Sequence, residues 1–165
     1  MFDLTGRRAL VTGATGGIGA AIAAALHARG ATVVLSGTRA NVLRDRVAEL
    51  GARAHAVPAN LGDAGSLAAL VPAAEEAAGG AIDILVNNAG ITRDTLAMRM
   101  KPEQWQEVLD VNLTAAFRLS QAVLRGMMKA RFGRIINITS VVALTGNPGQ
   151  TNYAAAKAGM IGMSR

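Results

Sequence analysis

Tyr153 and Lys157 stand four residues apart near the end of a 165-residue chain, with Ala154, Ala155 and Ala156 between them. On a helix that spacing puts both side chains on one face. A free tyrosine, with a pKa of about 10, is a poor proton-transfer group at neutral pH without help. An ammonium one turn away favours the tyrosinate and pulls that value down, and the small alanines leave room for a substrate and a cofactor. The chain has one tyrosine and three lysines, and the only tyrosine has a lysine one turn on. Upstream, in RIINITSVVA, Ser140 falls just past an apolar run. A hydroxyl there can hydrogen-bond a carbonyl oxygen and orient it; its plainer role is to cap a turn.

A second constellation lies near the start. The stretch TGATGGIG, residues 12–19, follows an apolar run and opens an Ala-rich segment. Gly13, Thr15, Gly16, Gly17, Ile18 and Gly19 thus form a turn from strand to helix. Such a turn brings backbone close to a pyrophosphate, and the helix N-terminus supplies N–H groups and a positive dipole end. The gap of three residues between Gly13 and Gly17 departs from the usual GxGxxG, but the strand–turn–helix context is the one that gives such motifs meaning. After the second strand-like run comes LSGTRA, 35–40, with no carboxylate to grip ribose hydroxyls and repel a 2′-phosphate. Ser36, Thr38 and Arg39 can instead bond and neutralise that phosphate, which predicts NADP(H) over NAD. The alternative is that Arg39 simply begins the next helix in solvent.

The elements that must position these groups alternate. Short β-branched runs at 9–13, 32–37, 54–59, 82–87 and 134–139 are separated by Ala/Leu-rich helical spacing over about 17–29, 40–50, 66–78 and 102–131. Strands alternating with such helices predict βαβ units and a parallel sheet, and their continuous apolar character fits strands covered on both faces. Gly30 and Gly51 sit where C-terminal caps belong, Pro102 suits a first helical turn, and Asp63 or Ser66 can cap the helix that follows. Pro72 is expected to kink or shorten its helix. No linker, repeat or low-complexity stretch interrupts residues 1–165, so they read as one dinucleotide-binding domain or part of one.

Composition excludes several other chemistries. With no cysteine, disulfides and thiolate-ligated metals are out. His27 and His55 alone offer little to a metal site or a Ser/His triad. No apolar run of about 18 residues predicts a membrane span, and no signal-peptide layout opens the chain, so cytoplasm is the default. The net charge of +6 comes from 17 basic and 11 acidic residues. It reads as a solvated Arg-rich surface or as a face for an acidic partner at Arg125, Lys129, Arg131 and Arg134. Nucleic acid is disfavoured, since the aromatics do not interleave with the basic residues.

TGATGGIG, LVNNAG (85–90), Asn112 within DVNLTAAF, NITS ending at Ser140, and YAAAK (153–157) together resemble the short-chain dehydrogenase/reductase family in order and spacing. Within it, NNAGITRDTLAMRM, VNLTAAFRLSQAVLRGMMKARFGRIINITS and GNPGQTNYAAAKAGMIGMS are most similar to the reductases of 3-oxoacyl groups on acyl carrier protein, which perform the first reduction in bacterial fatty-acid elongation. The resemblance implies a doubly wound Rossmann-type α/β fold, here the five-stranded N-terminal part, order 3-2-1-4-5, of a normally seven-stranded sheet.

It also implies roles. Tyr153 would be the general acid, Lys157 would lower its pKa and hold the nicotinamide ribose, Ser140 would bind the substrate carbonyl, and Asn112 would position a relay water. Asn88, Ala89 and Gly90 would line the cofactor site and Asn60 and Leu61 would contact adenine, while Asn87 and Asn88 can equally tie strand ends together. Lys129 and Arg131 would dock acyl carrier protein near the active-site mouth. Relatives are usually homotetramers. Reduction of acetoacetyl-CoA or another ketone, and a non-catalytic nucleotide-binding module, are the alternatives. Two departures qualify the match. Gly16 replaces an arginine that many NADP-using members carry, which shifts phosphate recognition to Arg39. Members also run to roughly 250 residues. The chain is therefore expected to be the first two-thirds of a reductase, with a bare fifth strand, a thinly packed final helix and little activity alone.

Overall fold

The computed structural model describes residues 2–165. Five parallel strands, β1 (Arg8–Val11), β2 (Thr32–Leu35), β3 (Ala54–Ala56), β4 (Ile84–Asn87) and β5 (Arg134–Asn137), form one sheet in the order β3-β2-β1-β4-β5. The helices are α1 (Gly17–Ala28), α2 (Ala40–Leu50), α3 (Ala64–Ala78), α4 (Pro102–Leu109), α5 (Ala115–Ala130), α6 (Val142–Thr145) and α7 (Thr151–Met163). A 3₁₀ turn covers Ala97–Arg99. The α/β class, the strand order and the Rossmann-type winding are as expected. The order reverses between β1 and β4, and in open α/β sheets ligands bind at the carboxyl edge beside that switch point.

The apolar runs are explained by alternation between two covered faces. Ala9, Val11, Val33, Leu35, Ile84 and Val86 pack with Ala23 and Leu43 on the side of α1 and α2. Leu10, Val34 and Leu85 point the other way, onto Leu70 and Ala74 of α3 and Leu119 and Val123 of α5. These side chains are almost wholly excluded from water, so the central strands are rigid supports for the loops at their ends. The carboxyl ends stay aligned: Val11 is opposite Leu35 on one side and Val86 on the other, and Asn87 is opposite Asn137.

Two local expectations change and one open alternative is decided. The single helix expected over 102–131 is α4, a π-helical segment (Asp110–Thr114) and α5. A π turn shifts the hydrogen-bond register by one residue and re-aims Asn112. Pro72 neither ends nor shortens α3, which runs through it; Pro72 and Ala68, whose carbonyl it deprives of a partner, are exposed, so that carbonyl can turn to water. Asp63 is the cap of α3, accepting from the Ser66 N–H at 2.7 Å, while Ser66 Oγ accepts from the Asn60 N–H at 2.8 Å and fixes the loop after β3. Among the described residues β5 pairs only with β4. Beside its far edge a groove of about 370 Å³ is lined by Phe117, Leu124, Ile135, Asn137 and Met163.

Candidate active site

The turn from β1 into α1 is pressed against the end of β4. Gly13 has φ +65°, and a Cβ there would lie 2.8 Å from Ala89 Cα. A Cβ on Gly19 would lie 2.6 Å from Asn88 Nδ2 and run into the Gly13 carbonyl oxygen. Glycine is required at both positions by contact with backbone. Thr12 Oγ1 donates to the Val86 carbonyl and accepts from the Asn88 and Ala89 N–H groups, both at 3.1 Å. Asn88 Nδ2 returns bonds to the Thr12 and Gly13 carbonyls. Asn87 Nδ2 donates to Asn137 Oδ1 at 2.8 Å, tying β4 to β5. Both asparagines therefore join strand ends, as their plainer reading had it.

Beside this junction a groove of about 470 Å³ runs over the carboxyl edge. Gly13, Thr15, Thr38, Asn60, Leu61, Ala89 and Gly90 line it, seven of the residues singled out in the sequence. Asn88 sits behind its wall, and Gly16, Gly17 and Ile18 face solvent at the start of α1. No atom outside its own chain neighbours approaches a Cβ on Gly17 within 4 Å. The first N–H groups of a helix lack intrahelical acceptors, and α1 begins with no acidic residue and no side-chain cap. An open, uncapped helix start beside a groove fits the diphosphate of a dinucleotide. Arg39 lies next to the groove, its Nη2 donating to the Thr15 carbonyl at 2.8 Å. Ser36 is buried to 1% exposure and offers a ligand little. Sequence reasoning missed Ala59, Gly62, Ile91, Arg93, Glu107 and Val111, which complete the groove. Arg93 and Glu107 form a bidentate ion pair at 2.6 and 2.8 Å, and nothing in their spacing, 14 residues apart, signals it.

The residues expected to transfer protons gather at the same edge. α7 carries Tyr153 and Lys157, with Lys157 Nζ 5.7 Å from the tyrosine ring centroid. Lys157 is only 3% exposed. Its Nζ donates to the Ile138 carbonyl at 2.7 Å, and its own carbonyl accepts from Thr139 Oγ1 at 3.1 Å, so the loop after β5 holds the helix on both sides. Burial pushes the Lys157 ammonium below the ordinary lysine value. Asn112, with 0% exposure, accepts from the Ile91 N–H at 2.7 Å and donates to the Ile91 carbonyl at 2.9 Å. Gly90 sits between these groups: a Cβ there would be 3.2 Å from Asn112 Oδ1 and 3.7 Å from Lys157 Nζ. Asn112 thus clamps the loop after β4, and one lone pair of its oxygen remains for a further donor. Ser140 Oγ accepts from the Val142 N–H at 3.2 Å, which caps a turn and leaves its own O–H free to donate. The turn-capping reading of Ser140 is the one this bond shows.

One placement is corrected. Lys129 and Arg131 end α5 just before β5 begins at Arg134. In a parallel sheet that is the amino edge, opposite Ser140 and Tyr153, so within one chain they do not flank the active-site mouth. Arg134 is also engaged there, its guanidinium 5.4 Å from the Phe132 ring over which Arg7 stacks at 3.6 Å.

The buried lysine gives a pH prediction. Because its folded pKa lies below the unfolded value of 10.5, the cost of burying the ammonium is present in full below the folded pKa. It fades as pH rises from there towards 10.5. Urea unfolding from about pH 7 towards pH 10 is expected to show the wild type gaining stability relative to Lys157→Met. Parallel curves for the two proteins contradict a charge-burial cost.

A model of the short chain dehydrogenase family matches residues 7–165. Nodulation protein G of Rhizobium sp. (strain N33) is 60% identical over 165 residues, covering 100% of this chain and 67% of that protein. The 3-oxoacyl-(acyl-carrier-protein) reductase FabG of Vibrio cholerae is 52% identical over 163 residues, covering 99% of this chain and 66% of that protein. A crystal structure described as a "putative short-chain alcohol dehydrogenase" from Sinorhizobium meliloti 1021 superposes with a TM-score of 0.93 at 38% identity, covering 99% of this chain and 66% of that one. The chain spans about two thirds of the length of these relatives. Among the described residues no helix is long and apolar enough to cross a membrane. With that match over nearly its whole length, the chain belongs to the short chain dehydrogenase family of oxidoreductases.

Proposed function

We propose that the protein reduces the 3-oxo group of an acyl thioester to a 3-hydroxyacyl group with NADPH, the thioester being carried on acyl carrier protein. The observation that carries the chemistry is the space beside Gly90. Asn112 Oδ1, Lys157 Nζ and the tyrosine helix converge on it from three elements, directly beside the nucleotide groove. Identity of 52% to a 3-oxoacyl-(acyl-carrier-protein) reductase over almost the whole chain supports the substrate class.

In this reading the open start of α1 holds the diphosphate. Thr38 and Arg39 face the adenosine ribose and its 2′-phosphate, and Asn60 and Leu61 border the adenine. The bound nicotinamide supplies hydride to the carbonyl carbon, which is the cofactor's chemistry. Ser140 donates its O–H to the carbonyl oxygen and fixes the carbonyl's orientation. Tyr153 gives that oxygen its phenolic proton as charge develops there. Lys157, held by Ile138, keeps a positive group beside the phenol and within reach of the nicotinamide ribose. Asn112 keeps Gly90 and Ile91 in place, and its free lone pair faces the space from which a proton can be resupplied. A second reading, reduction of a CoA-linked or free ketone, is favoured by the likeness to the Sinorhizobium protein described as an alcohol dehydrogenase.

In a chain extended to the length of its relatives, Tyr153→Phe is expected to lower kcat by about a hundredfold or more while the NADPH dissociation constant stays within about twofold, since only the proton donor is lost. Unchanged turnover by this variant contradicts the assignment. Arg39→Ala is expected to weaken NADPH binding about tenfold and to leave NADH binding nearly unchanged, as followed by nicotinamide fluorescence. Equal effects on both cofactors would remove Arg39 as the phosphate anchor. The carrier is tested by comparing KM for the carrier-linked and the CoA-linked substrate in a chain extended to the length of its relatives: KM is expected to be several-fold lower for the carrier-linked one, with the difference shrinking at high salt. Equal KM values for both substrates favour the second reading.

A further inference from the structure

Asn152, the residue before Tyr153, is as deeply buried as Asn112, with 0% of its surface exposed. A primary amide in that position is costly unless its valences are used, and here they go to backbone. Oδ1 accepts from the Tyr153 N–H at 2.8 Å, and Nδ2 donates to the Arg93 carbonyl at 3.2 Å and to the Gln104 carbonyl at 3.1 Å. The Tyr153 N–H belongs to the first turn of α7, where intrahelical acceptors are missing, and Gln150 at the N-cap provides no side-chain cap. Asn152 therefore caps the helix from within its first turn. Its other end grips two elements at once: the loop after β4, through Arg93, and the first turn of α4, through Gln104.

That loop is held twice. Asn112 takes both backbone groups of Ile91, and two residues later Asn152 takes the Arg93 carbonyl. One clamp comes from the π segment and the other from the tyrosine helix, so the loop carrying Gly90 is the shared reference for Asn112 and Tyr153. An exposed tie runs alongside, from Gln150 Nε2 to the Asp94 carboxylate at 3.1 Å, and a half-buried backbone bond joins the Thr95 N–H to the Gly149 carbonyl at 2.8 Å. Exposed polar contacts restrain less than buried ones, because water competes for their partners.

We propose that Asn152 is a positioning residue for Tyr153: its buried amide sets the tyrosine backbone against Arg93 and Gln104 and so fixes the phenol relative to Gly90 and Asn112. The inference rests on the reductase reading for its catalytic consequence and on geometry for its structural one. Misplacing a proton donor slightly costs rate out of proportion to the displacement. The effect is therefore expected in kcat rather than in cofactor binding.

Because the chain contains a single tyrosine, ring-13C-tyrosine labelling gives an NMR signal from Tyr153 alone. Asn152→Ala is expected to shift or exchange-broaden that signal, and Gln150→Ala, which cuts the exposed tie, to leave it in place. In reduction of a 3-oxoacyl thioester by a chain extended to the length of its relatives, Asn152→Ala should lower kcat about tenfold to a hundredfold, with KM and NADPH affinity within about twofold. A ring signal in Asn152→Ala coincident with wild type, or an equal shift in Gln150→Ala, overturns the proposal. A wild type extended to the length of its relatives that reduces no thioester, while the ring signal of this chain responds as expected, removes the reductase reading and leaves the positional role supported. Should Asn152→Ala not fold, amide hydrogen exchange of the wild type decides. The Tyr153 N–H is expected to exchange at least about a hundredfold more slowly than the Thr151 N–H, and similar rates overturn the proposal.

Discussion

The site depends on how closely the first turn of the chain approaches the end of the fourth strand. A Cβ at Gly13 or Gly19 would strike the backbone or side chains of the Gly13 and Asn88–Ala89 segments. With hydrogen there instead, Thr12 and Asn88 exchange bonds across β1 and β4. That contact closes the sheet at its switch point from below and leaves a groove above it. It also sets where Gly90 falls, and Gly90 is the point around which Asn112 and Lys157 are arranged. Replacing either glycine would move both the cofactor wall and the proton-transfer groups.

Burial of polar groups at one edge follows from that frame. Thr12, Asn87, Asn112, Asn152 and Lys157 are all nearly sealed from water, and all sit at or beyond the carboxyl ends of strands. Each is engaged with a backbone group belonging to another element. In a dry environment such bonds are strong when made and costly when broken, so they fix distances in a way that exposed ion pairs do not. The Arg93–Glu107 pair, open to water, contributes modestly to stability by comparison, although its bidentate geometry defines a wall of the groove. Lys157 stands apart as a charge held under cover. Its hydrogen bond to Ile138 compensates part of the desolvation, and the remainder shows as a lowered pKa.

The opposite edge of the sheet has a different character. Asp83 accepts from the Arg8 N–H at 2.9 Å and faces the Arg7 guanidinium at 3.6 Å, while Arg7 stacks on Phe132. The basic residues that end α5 lie at this edge, away from the groove. An acidic partner drawn to them would approach from the side opposite Tyr153 of the same chain.

Much of this was legible in the order of residues. The alternation of β-branched and Ala/Leu-rich runs determined a parallel α/β sheet, because strands covered on both faces must be apolar throughout. Gly13 to Gly19 located the cofactor turn, since only glycine tolerates such close backbone contact, and the one-turn spacing of Tyr153 and Lys157 placed them on one helix face. What the sequence left open was decided by contacts between distant segments. The π turn at Asp110–Thr114 interrupts a stretch whose spacing is helical throughout, and only its packing against the loop after β4 shows that Asn112 faces Ile91. The pairing of Arg93 with Glu107 and the burial of Asn152 depend on α4 and α7 meeting that same loop. The family resemblance put Lys129 and Arg131 near the active-site mouth, but a parallel strand places them at the far edge of the same chain. Local spacing records which residues share an element; which elements share a site is settled by the sheet, because its order and polarity are properties of the fold.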